Sequence, residues 1–136
     1  PATFAAPPTV QLMTIAIQII LGLVAAICFL GGLNLLNKGA MAFLPKDHAP
    51  ARELDNLFRF TSGIYFSMGF LLTWVIVTIG QHHTLLYFLG ITIAFAGLGR
   101  AWSVLRVGSA GNYHRMMMVL EIVLGLAVIV LQMARG

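Results

Sequence analysis

The chain has 136 residues, of which 60% are hydrophobic and 9% charged, and its mean hydropathy is +0.94. Soluble domains carry about a quarter charged residues, so a water-soluble globular reading is excluded. Eight Lys and Arg against four Asp and Glu give a net charge of +4, which in an apolar chain points to membrane topology rather than to nucleic acid.

Residues 1–8 have no basic n-region and read as a short extended arm, with an initiator methionine removed, rather than as a cleavable signal peptide. The arm is expected to lie against protein or lipid. Residues 10–36 are free of charge and long enough to cross a bilayer. Thr14, Gln18, Gly22, Ala25 and Phe29 fall on one stripe of that helix, and Gly22 with Ala26 forms a small-xxx-small pair suited to close helix packing. Cys28 has no second cysteine to join and reads as a small apolar filler.

Lys38 to Asp55 is the main polar loop, with Pro45 and Pro50 preventing a continuous helix. A second helix is expected over 51–79, with Pro50 suited to its first turn. Glu53 would then sit near the positive end of the helix, and Asp55 precedes Arg59 by four residues, the favourable order for a helical ion pair. Gly63 is a candidate packing position on this span. Gly80-Gln81-His82-His83 turns the chain; the adjacent histidines have no third ligand nearby, and no metal is expected.

A third helix over 84–105 carries Arg100 at the end of about sixteen uncharged positions. That run places the guanidinium about 24 Å down a slab of about 30 Å, inside the membrane boundary. Charges at such depth are paired within the bundle or serve a function. Gly97 and Gly99 keep the helix slim. The loop 106–115 contains two glycines, and a fourth helix over 116–134 holds Glu121.

These segments predict an all-α integral membrane four-helix bundle with antiparallel up-down connectivity, a single domain over 1–136. Lys38, Lys46, Arg52, Arg106 and Arg115 flank the first and third loops, against Arg135 at the other side. The positive-inside rule therefore puts those loops in the cytoplasm and both termini on the non-cytoplasmic side of a bacterial inner membrane. Arg59, Arg100 and Glu121 would then lie at one depth in the inner leaflet, with Ser103 in the same layer. The economical arrangement pairs Arg100 with Glu121 and Arg59 with Asp55.

The run Glu53-Leu54-Asp55-Asn56-Leu57-Phe58-Arg59-Phe60-Thr61-Ser62-Gly63-Ile64-Tyr65, the run Ala96-Gly97-Leu98-Gly99-Arg100-Ala101-Trp102-Ser103 and the membrane glutamate Glu121 together resemble the DUF4345 family, a domain of unknown function. A looser likeness is to DoxX-like four-helix proteins. The resemblance covers about positions 10–134. It implies a small integral membrane bundle, almost no biochemistry, and Arg59, Gly63, Gly97, Gly99, Arg100, Ser103 and Glu121 as the positions to test. Where family members tend to have Gly-x-Pro, this chain has Gly108-Ser109-Ala110-Gly111, which implies a more flexible third loop.

Enzyme chemistry is not expected: there is no HExxH, Cys-x-x-Cys, nucleophile elbow or phosphate loop, and neither a catalytic residue nor a cofactor is predicted. The leading expectation is a non-enzymatic membrane protein that self-associates or serves as an accessory subunit of a membrane complex. Its expected partners are membrane lipids, anionic ones included, and copies of itself or a larger complex, with no nucleic acid. The alternative is a carrier or receptor for a lipid, quinone or other amphipathic anionic ligand, with the Arg59, Arg100 and Glu121 cluster as its polar end. A proton pathway through Glu121 and His114 ranks last.

Overall fold

The computed structural model describes residues 6–49 and 51–136. Most of the N-terminal arm (1–5) and Pro50, expected in the first turn of the second helix, lie outside the described residues.

The fold class is the expected all-α four-helix bundle, with no strand among the described residues. The helices are α1 (Pro8–Lys38), α2 (Arg52–Val77), α3 (His83–Val107) and α4 (Asn112–Arg135), with short 3-10 turns at Gly39–Ala42 and Ile79–Gln81. All four are long and apolar enough to cross a membrane, which makes the chain a multi-pass membrane protein. In lipid a helix satisfies its own backbone polar groups, so charge-free runs of this length have no cheaper conformation.

The main boundary difference is at α4, which begins at Asn112, four residues ahead of the expected start at 116. The polar stretch Asn112-Tyr113-His114-Arg115 continues the helix beyond its apolar part. Gly111, with φ of 106°, supplies the turn that starts it, and Gly108, with φ of 103°, ends α3.

The chain forms two compact units, and α1 contributes to both. The first contains the chain through Ile20 together with Ile79–Gly136. Here α3 and α4 form an antiparallel hairpin: Gly97 faces Met118 and Ile122, and Gly90 faces Gly125 and Ile129. Its buried seam on α4 is Met117, Glu121, Gly125, Val128 and Gln132, at the three- and four-residue spacing of one helix face. A Cβ on Gly125 would stand 2.5 Å from Ala94 N, and one on Gly97 would stand 2.7 Å from Met118 O. The two backbones are in direct contact there, which only small residues permit.

The second unit is Leu21–Thr78. Within it, the second part of α1 runs antiparallel to α2. Gly32 packs on the backbone of Phe66, and Gly69 packs on the ring of Phe29. Phe29, Phe66 and Phe70 form an edge-to-face cluster with centroids 4.9–5.5 Å apart. Cys28 is buried in this unit.

Of the four expected packing glycines, Gly97 lies at a close approach and Gly22 is in ordinary contact, 4.0 Å from Ile76. A Cβ on Gly63 or Gly99 would meet nothing within 4 Å. The reason at Gly99 is angular: two residues after Gly97, it is turned about 200° around the helix, away from α4.

Candidate functional site

Three polar constellations interrupt the apolar helices, each contained in one of the two units. The first joins α3 to α4. Arg100 Nε donates to Glu121 Oε2 at 2.8 Å and Nη2 donates to Oε1 at 3.2 Å, a two-pronged contact that satisfies both carboxylate oxygens. Arg100, three residues after Gly97, is turned only about 60° from it around α3, and its long stem carries the guanidinium to the seam. Glu121 belongs to the seam itself, four residues before Gly125. Ser103 is exposed and takes no part in the pair.

The second constellation ties α2 to the end of α1. Arg59 Nε donates to Asp55 Oδ2 at 2.8 Å, one turn away on α2. The other carboxylate oxygen, Oδ1, accepts from the backbone N–H of Ala40 at 3.0 Å, and Arg59 Nη1 donates to the carbonyl of Leu36. Leu36 C=O is one of the last four carbonyls of α1, and Ala40 N–H lies in the 3-10 turn that follows, so the Asp55–Arg59 pair caps backbone groups on both sides of that junction. Gly39, with φ of 56°, lets the chain bend into the turn, and a side chain there would collide with the Asp55 carboxylate. Beside it, Phe43 stacks on Phe58 at 5.2 Å, anchoring the polar loop to α2.

The third constellation lies at the opposite end of the α3–α4 hairpin from the Arg100–Glu121 pair. Gln132 Nε2 is 3.2 Å from His83 Nδ1, while Arg135 reaches Thr14 Oγ1 and the carbonyl of Ile79, each at 3.4 Å. Gln132 is 1% exposed, and its Oε1 has no hydrogen-bond partner among the described residues. Sequence reasoning missed this cluster. Its signal was spacing: Gln132 is eleven residues beyond Glu121, three helical turns along the same face.

The chemistry open to these groups is limited by how they are already engaged. Both oxygens of Glu121 and both oxygens of Asp55 accept hydrogen bonds, so neither carboxylate is presented as a free base. His114 packs against Tyr113 at 5.3 Å and stands seven residues, about 10 Å of rise, from Glu121. Among the described residues no three His, Cys, Asp or Glu side chains come together as a metal site. The Arg100–Glu121 pair links α3 to α4, and the Asp55–Arg59 pair, within α2, reaches the end of α1.

A family model described as "Domain of unknown function (DUF4345)" matches residues 16–132, a stretch that includes both ion pairs and Gln132. No curated protein and no solved structure matches the chain. The looser likeness to DoxX-like proteins has no counterpart among these matches.

Proposed function

Because the chain belongs to the DUF4345 family, whose description assigns no chemistry, we propose from its own residues that it is a non-enzymatic membrane protein that packs against other membrane helices, either copies of itself or the subunits of a larger complex. The observation that carries this reading is the outer face of α3. Ala96, Gly99 and Ser103 are exposed there at spacings of three and four residues, with half-buried Thr92 one turn earlier. A side chain at Gly99 would enter open space. In lipid there is no hydrophobic drive between helices, so association depends on close backbone approach and polar small side chains, which this stripe offers on a face turned away from α4.

The engagement of the charges supports the same reading. The guanidinium groups of Arg59 and Arg100 each hold a carboxylate of the chain itself, which favours a structural role over the alternative of a carrier for an amphipathic anion. A bacterial inner-membrane location with both termini on the non-cytoplasmic side is part of the proposal. It rests on the excess of Lys and Arg at Lys38, Lys46, Arg52, Arg106 and Arg115 over Arg135 alone.

Native mass spectrometry of protein extracted in mild detergent tests the reading. A dimer or higher species, or a stoichiometric membrane partner, is expected, and Gly99→Leu should shift it to free monomer while Gly63→Ala leaves it unchanged. A wild-type chain that is strictly monomeric and free of partners would overturn it.

A further inference from the structure

We propose that the α3–α4 hairpin carries a binding site for an anionic phospholipid of the bilayer, with the headgroup at Arg115 and one acyl chain along α4. A shallow open groove of about 510 Å³ lies along the exposed face of α4 alone, lined by Asn112, Arg115, Met116, Val119, Leu120 and Val123. Its walls are almost wholly apolar, and Asn112 and Arg115 stand at the end nearest the turn between α3 and α4. From Asn112 to Val123 the helix rises about 16 Å, close to half of a hydrocarbon slab of about 30 Å. The groove therefore has the length and the polarity gradient of one leaflet: a charged head followed by a chain.

Charge complementarity selects an anionic occupant. Arg106 and Arg115 flank the turn between α3 and α4, and among the described residues neither forms a salt bridge with a carboxylate. Arg106 lies over the Trp102 ring at 5.3 Å, and Arg115 Nη2 is 3.4 Å from Ser109 Oγ, a long contact that leaves most of its donors available. The first turn of α4 has no acidic residue and no side-chain cap, so the positive end of its dipole adds to the two guanidinium charges. A phosphodiester neutralises this end, whereas a zwitterionic headgroup brings its own cation into the same field. This site is separate from the small-residue face of α3, and lipid binding does not depend on self-association.

The test uses full-length protein reconstituted in vesicles of phosphatidylglycerol and phosphatidylcholine in equal amounts, then transferred to mild detergent for native mass spectrometry of retained lipid. Wild type should retain phosphatidylglycerol over phosphatidylcholine. Arg115→Gln should reduce that preference about fivefold, as expected for one basic residue near an anionic surface. Arg115→Lys should preserve most of it. Val119→Trp, which fills the apolar part of the groove and keeps the charge, should reduce retention of both lipids, and Arg135→Gln should retain phosphatidylglycerol as wild type does. Equal retention of the two lipids by wild type, or wild-type preference in both Arg115→Gln and Val119→Trp, would overturn the proposal.

Discussion

The carboxylate of Glu121 is more deeply buried than the guanidinium of Arg100 that it binds, with side-chain exposures of 10% and 37%. Removing the two partners should therefore have unequal effects. Arg100→Leu leaves a carboxylate in the seam without its donor fork, and the cost expected from breaking such a pair is about 3 kcal/mol. Glu121→Leu leaves a cation on a long stem that can reach toward the interface, so its cost should be smaller. The double variant Arg100→Leu with Glu121→Leu should be more stable than Arg100→Leu alone, because no buried charge is left. Unfolding curves of the detergent-solubilised variants measure all three, and equal single-variant losses would contradict the asymmetry.

At the α3–α4 crossing the control is a matter of angle. Gly125→Ala puts a methyl 2.6 Å from Gly90 O and 2.5 Å from Ala94 N, so the helices must part, at a cost of about 1–3 kcal/mol for overpacking. Gly99→Ala meets nothing, and in the monomer it should be neutral or gain up to about 1 kcal/mol of helix propensity. Thermal melting in one detergent distinguishes the two.

Much of this was legible before any coordinates. A guanidinium at the depth of Arg100 has to find an anion, and Glu121 is the only acidic residue of the sequence within the apolar length of a helix, so the pair follows from desolvation alone. The Asp55–Arg59 spacing is equally direct. What spacing could not give is which way each helix turns. Gly63 and Gly99 look the same as Gly97 in composition, and only the rotation that brings Glu121 inward decides that Gly97 and Gly125 meet a neighbour while Gly99 does not. The capping of Leu36 and Ala40 by a pair fifteen or more residues away was hidden for a different reason: it depends on the path of the loop, which no periodicity records.

That cap has a local consequence. Asp55→Ala removes the acceptor of Ala40 N–H and leaves Arg59 held only by the carbonyls at the end of α1, which loosens the turn. The segment after the turn should then be cut faster by added protease between 43 and 49, while the thermal midpoint falls only modestly. Asp55→Asn keeps an acceptor for Ala40 and should give an intermediate cleavage rate.

Gln132 behaves in the opposite sense to Glu121. Its Oε1 is buried without a hydrogen-bond partner among the described residues, so the amide carries a desolvation cost that Leu would not. Gln132→Leu should be neutral or raise the melting temperature, since His83 is exposed enough to find another partner. A large loss of stability would show that the amide is held by more than the His83 contact.

The helix α1 has 31 residues and α4 has 24, lengths of about 46 and 36 Å. An upright α1 would overreach even a bilayer measured across its headgroups, about 40–45 Å, so it must lean or emerge at one surface. The mismatch between these helices makes membrane thickness a thermodynamic variable for the protein: thin bilayers press α1 further over, and thick ones let it straighten.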